Sequence, residues 1–101
     1  MVEINLTQKA LADIEAIAQY LSEYSPSYAA RFVEEVLKRA DLLTLFPEMG
    51  RVLPEIDERE VRELIYQRYR IIYHIISENR IDIITVQHTS KDLKRYLFDE
   101  P

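Results

Sequence analysis

The sequence predicts an α+β domain of order β-α-α-β-β-β, a helical hairpin packed on one face of a mainly antiparallel four-stranded sheet. Three observations carry that expectation. Two apolar stripes at helical spacing lie between residues 8 and 46, separated only by Ser25-Pro26. Three β-rich runs follow at about 60–66, 69–77 and 80–88, joined by Gln67-Arg68 and Glu78-Asn79, links short enough for hairpins. Val2 to Leu6 alternates apolar and polar residues ahead of the first helix and reads as a strand. At 101 residues the chain is one domain, 1–101, because a second core would leave each half too small to be stable alone.

Each element has a local reason. Thr7 is suited to cap a helix running to about Tyr24, with Ala10, Leu11, Ile14, Ile17, Ala18 and Leu21 on one side. Asp13, Glu15 and Gln19 fall outside that stripe. Ser25-Pro26 restarts the chain as a second helix, a capping serine before a proline whose missing N–H costs nothing there. Ala29, Phe32, Val33, Val36, Leu37, Ala40 and Leu43 make its apolar side, and Pro47 ends it by Phe46. So short a link folds the two helices back as an antiparallel hairpin.

Residues 47–59 read as a loop holding the only glycine, Gly50. The last strand, Ile81 to His88, is apolar on both faces, so an interior place in the sheet is expected. Ser90 is expected to cap a final turn or short helix through Asp92, Leu93, Tyr96 and Leu97. The sheet face away from the hairpin, or its C-terminal rim, is expected to stay open and to carry the site.

Composition narrows the function. The 48% apolar and 31% charged content is that of a globular domain. With no cysteine there is neither a disulfide nor a thiolate metal site, which fits a reducing compartment. No stretch reaches the roughly 20 apolar residues of a membrane helix, and residues 1–20 lack a signal-peptide pattern, so a cytoplasmic place is expected. Net charge is −5, unevenly spread. Residues 1–58 hold 5 Lys/Arg against 11 Asp/Glu, while residues 59–98 hold 8 against 5. The acidity argues against strong non-specific phosphate binding. One glycine in the whole chain builds no phosphate-cradling loop, and no serine or cysteine stands in a nucleophile elbow.

The strands spend positions on cations and rings. Arg62 and Arg70 have the forked geometry that recognises phosphate or carboxylate; equally, they can pair with Glu60, Glu63 or Asp82 on neighbouring strands. His88, at a strand end, is placed to shuttle a proton near neutral pH, and His74 sits mid-strand. Two histidines without spaced partners make no metal site, and no cofactor is expected. Tyr69 and Tyr73 share a face with Ile71 and Ile75 and read as core. Tyr66 shares a face with Arg62 and Leu64 and is the better candidate for stacking on a base or partner; Tyr96 is a further aromatic. With Arg51 and Arg68, Tyr66 makes up the expected binding set.

Ala10-x-x-Asp13-Ile14, Leu45-Phe46-Pro47-Glu48-Met49-Gly50-Arg51, Val61-Arg62-Glu63-Leu64, Tyr69-Arg70-Ile71-Ile72-Tyr73 and Val86-Gln87-His88 form an ordered set over nearly the whole chain. In that set the chain resembles the RelE/ParE superfamily, toxins of type II toxin–antitoxin modules. The resemblance implies a cognate antitoxin that lays a helix and an extended segment over the toxin. It also implies one of two targets. RelE-like members cut messenger RNA in the ribosome, for which Arg62, Arg70, His88 and Tyr96 would be the catalytic set. ParE-like members poison DNA gyrase by protein contact. Here the loop before the strands offers Arg51, Glu55 and Glu58 but no lysine, and Thr89 stands where RelE proper has an arginine. The Phe46–Arg51 turn and the long hairpin are more similar to the ParE branch. A non-toxic antitoxin-binding remnant is the third alternative. Direct reading of DNA is not expected.

Overall fold

The structure is a computed structural model that describes residues 2–90. The turn expected through Asp92, Leu93, Tyr96 and Leu97 lies outside the described residues.

The elements are β1 (Glu3–Leu6), α1 (Gln8–Ser22), α2 (Pro26–Leu42), β2 (Arg51–Val52), β3 (Val61–Tyr66), β4 (Tyr69–Ser77) and β5 (Arg80–His88). Both expected caps form. The Thr7 hydroxyl accepts the Ala10 N–H at 3.1 Å, and the Ser25 hydroxyl accepts that of Tyr28 at 3.2 Å. Pro26 opens α2, where no donor is missed. Thr7 also donates its hydroxyl to the Ile83 carbonyl at 2.8 Å, tying the start of α1 to the sheet.

The sheet has five strands in the order β1-β5-β4-β3-β2. β1 lies parallel to β5, and the other neighbours are antiparallel. The expected four strands are thus joined by a fifth, β2, inside the segment read as loop. Its two residues pair as Arg51 with Glu63 and Val52 with Arg62, too short a run to leave any alternation in the sequence. β5 is interior, as its two apolar faces require. Gln67, at φ 57°, takes the left-handed turn that joins β3 to β4.

β4 and β5 fall out of register twice, between Ile72 and Tyr73 and between Ile75 and Ser77. At the first, Ile72 faces Thr85 but Tyr73 faces Ile83, so Ile84 is an extra residue. Asp13 on α1 fastens this bulge. Its carboxylate accepts the Val86 N–H at 3.2 Å and the Thr85 hydroxyl. A polar residue outside the apolar stripe thereby sets how α1 sits on the sheet.

Two cores result. Between hairpin and sheet lie Ile14, Leu21, Phe32, Val36, Leu64, Tyr69, Ile71, Tyr73, Ile81 and Ile83, all buried. On the opposite face, Leu53, Val61 and Ile72 are buried with Ile56 and Ile84 packed against them. The expected open face is therefore partly roofed by the segment around Leu53 and Ile56. Leu53 has no exposed surface, which is what holds that segment down.

Candidate functional site

The roofed face holds an ion-pair chain. Arg70 and Glu63 are 8% and 0% exposed and meet at 2.7 Å. Arg70 also reaches Glu55 through both terminal nitrogens, at 3.1 and 3.3 Å. The exposed Arg51 closes the far side by donating to Glu63. The order is Arg51, Glu63, Arg70, Glu55, with signs alternating and no net charge. Burial of Glu63 explains the arrangement, since a carboxylate taken out of water is tolerable only when paired and hydrogen-bonded. Of the two readings of Arg70 made from sequence, the structure has it paired with Glu63 across the strands.

Burial, the largest single influence, works to raise the Glu55 carboxyl, but the hydrogen bond from Arg70, a backbone hydrogen bond and the Arg70 and Arg51 charges together outweigh it and hold the group below its usual 4.5. A depressed folded-state value means stability that is present above the unfolded value and is lost as pH falls through the folded one. Urea midpoints are therefore expected to stay level from pH 7 to about 5 and to decline below about 4.5. Glu55→Gln should lower the midpoint at pH 7 and make that acid limb shallower; an unchanged limb would separate Glu55 from the acid transition.

Arg62 does something different. Its guanidinium donates to three backbone carbonyls: Gly50 at 2.8 Å, Arg59 at 3.0 Å and Glu48 at 3.2 Å. It acts with Tyr73, whose hydroxyl donates to Pro47 at 2.7 Å and accepts the Gly50 N–H at 3.0 Å. Together they pin the turn between α2 and β2. That pinned turn carries Leu45, Phe46 and Met49 at 70%, 58% and 45% exposure.

His88 lies at the other end of the sheet. Its ring stands edge-on to Tyr69 at 5.6 Å, and its Nδ1 accepts the Ser90 N–H at 3.1 Å. The neutral ring then carries its proton on Nε2. It borders a groove of about 590 Å³ with Asp13, Ile17, Tyr20, Tyr69 and Ser90. Arg68 is exposed in the neighbouring turn.

The structure does not bring the expected catalytic set together. Arg62 faces Tyr73, and His88 faces Tyr69 four residues further along β4. That puts their backbones about 14 Å apart along the strands and about 10 Å across them. Arg70 is on the opposite face from both, under the roof. Tyr96 lies outside the described residues. Tyr66, expected to be available to a ligand, is instead buried, packed on Phe32 with the Arg39 guanidinium 4.5 Å over its ring. The shared face with Leu64 meant the helical core.

Sequence reasoning had Glu63 only as one of three possible partners of Arg70, and it missed Glu55, Tyr73 and Asp13 as organisers. One signal was available. A carboxylate between Arg62 and Leu64 in an apolar strand needs a cation, and Arg70 was the nearest that strand alternation places on the same face. The Tyr73 contacts, 23 and 26 residues distant, leave no such trace.

A sheet with its helical hairpin on one face is the α+β architecture that the resemblance to RelE/ParE toxins implies. Residues 4–93 match the family model described as the ParE toxin of the type II toxin–antitoxin system parDE, and the chain belongs to that family. It is similar to Toxin RelE2 of Caulobacter vibrioides, at 29% identity over 91 residues, covering 90% of this chain and 99% of that one. Its fold is shared with a chain of the chromosomal ParDE system from P. aeruginosa. That match has a TM-score of 0.68 at 22% identity and covers 87% of this chain and 96% of the other. No helix of the described residues is long and apolar enough to cross a membrane.

Proposed function

We propose that this ParE-family toxin arrests growth by protein contact, with DNA gyrase as its target, and that its cognate antitoxin neutralises it by covering the contact surface. The observation that carries this reading is the dispersal of Arg62, Arg70 and His88. Phosphoryl chemistry needs its base, acid and charge-stabilising donors within a few ångströms of one phosphate. Here Arg70 is committed to Glu63 and Glu55, and Arg62 to backbone carbonyls. What the surface does offer is exposed apolar area, which favours protein partners. The cytoplasm, where such partners are found, is the proposed compartment.

The test is pulse labelling minutes after the chain is induced alone, following thymidine and methionine incorporation side by side. Thymidine incorporation is expected to fall first, and His88→Ala is expected to leave the arrest intact. Purified protein should inhibit gyrase supercoiling. Methionine falling first, with His88→Ala abolishing arrest in a folded protein, would replace this reading with the ribosome-dependent nuclease. The accessible His88 beside Arg68 and Tyr20 is the feature favouring that second reading. Absence of any arrest would leave the antitoxin-binding remnant.

A further inference from the structure

Part of β5 has an edge that no strand of the described residues covers. β1 pairs with β5 only from Arg80 to Ile83, while β5 runs on to His88. Beyond the bulge, Gln87 lies opposite Arg70, and Thr89 donates its N–H to the Arg68 carbonyl at 2.8 Å, so both turn their backbone groups to β4. Alternation therefore turns the backbone groups of Val86 and His88 to the other side, past the end of β1. The Asp13 carboxylate takes the Val86 N–H at 3.2 Å. The Val86 carbonyl and the His88 N–H face outward and flank one position.

That edge opens on the groove of about 590 Å³ bordered by His88, whose walls include Ala16, Ile17, Tyr20 and Tyr69. Val86 is buried in the helical core and the His88 ring stands against Tyr69, so both side chains lie on the helical face. A residue paired beside His88 would send its own side chain to that face, into the groove. Tyr20, 56% exposed, supplies an aromatic wall there.

Resting on the protein-contact reading above, we propose that this edge receives a short extended segment of the target. The segment adds as a parallel strand continuing the line of β1 and places one apolar or aromatic side chain in the groove. The outward groups select an extended backbone. A carbonyl and an N–H two residues apart are what one residue of a parallel strand bonds through its own N–H and C=O. An antiparallel segment opposite Val86 would need the N–H that Asp13 already holds. A helix bonds its backbone groups internally and would leave this edge unanswered. The open stretch is short, so the strand fixes register and the groove contact adds affinity.

The measurement is inhibition of gyrase supercoiling by the purified full-length toxin, with calorimetric binding to the gyrase holoenzyme beside it. His88→Pro deletes the outward N–H and spares the bonds to β4, because that N–H faces away from β4. It is expected to weaken binding about 10-fold or more. His88→Ala keeps the N–H and loses only the ring, at a cost of no more than about threefold. Ala16→Tyr, at an exposed helix position, fills the groove from its α1 wall and should weaken binding about 10-fold. Amide exchange at His88 in the unmodified toxin should slow on binding, a readout that needs no variant. Wild-type inhibition by folded His88→Pro and Ala16→Tyr, or unchanged exchange at His88, would overturn the proposal. Equal losses in His88→Pro and His88→Ala would assign the effect to the ring and also sink the strand. Failure of the protein-contact reading is distinct: wild-type toxin then leaves supercoiling unaffected, and the added strand falls with it.

Discussion

Replacing Arg70 by methionine is expected to destabilise the fold by about 3 kcal/mol, at the lower end of the cost of breaking a buried ion pair. The cost comes from what is left behind. Glu63, with no exposed surface, would keep only Arg51, whose side chain is 67% exposed and hydrates freely. Glu55 would lose its cation too, but at 31% exposure it can turn to water. The double variant Arg70→Met with Glu63→Leu is expected to recover most of the loss. Leu53, Val61 and Ile72 already make that face apolar, and well-packed hydrophobic pairs commonly match buried ion pairs. Urea unfolding of the two variants measures the difference, and equal midpoints would show that Glu63 is not strained by losing Arg70. The pair also separates structure from chemistry. If arrest is lost in Arg70→Met and returns in the double variant, the arginine acts through the fold. A folded but inactive double variant would require Arg70 to touch the target.

The helices were legible because their determinants are local. Thr7 and Ser25 cap them, Pro26 opens the second, and 3.6-residue periodicity marks the buried side. The three long strands were legible for the same reason. What could not be read was which object covers each face. Alternation places Tyr66 with Arg62 and Leu64, but whether that face meets water or helices depends on contacts such as Phe32, over thirty residues away. It likewise sets Arg70 opposite Tyr69, yet the cover over Arg70 comes from Leu53 and Glu55 in a segment with no periodicity. The bulge at Ile84 resets alternation within β5, a change that a single inserted residue makes without any compositional mark.

Gly50→Ala is expected to cost about 2–3 kcal/mol, an effect of space and not of backbone conformation. No glycine has positive φ here, so alanine is allowed at this backbone geometry and even gains from a less free unfolded chain. The added methyl has nowhere to go. It would lie 2.6 Å from the Glu63 carbonyl oxygen, 2.8 Å from the Tyr73 hydroxyl and 2.9 Å from the Tyr73 ring. The carbonyl belongs to β3, whose Glu63 pairs with Arg51 on one side and Ile72 on the other, so it cannot retreat without loosening the sheet. Tyr73→Phe should cost about 1–3 kcal/mol by a different route, leaving the Gly50 N–H and Pro47 carbonyl without their partner. Combining the two should cost less than their sum, because removing the hydroxyl also removes one of the collisions. Strict additivity in thermal or urea unfolding would contradict the shared contact. The coupling matters beyond stability. The same hydroxyl that Gly50 makes room for fixes the turn displaying Phe46 and Met49, so Tyr73→Phe should weaken partner binding although neither of those residues is changed.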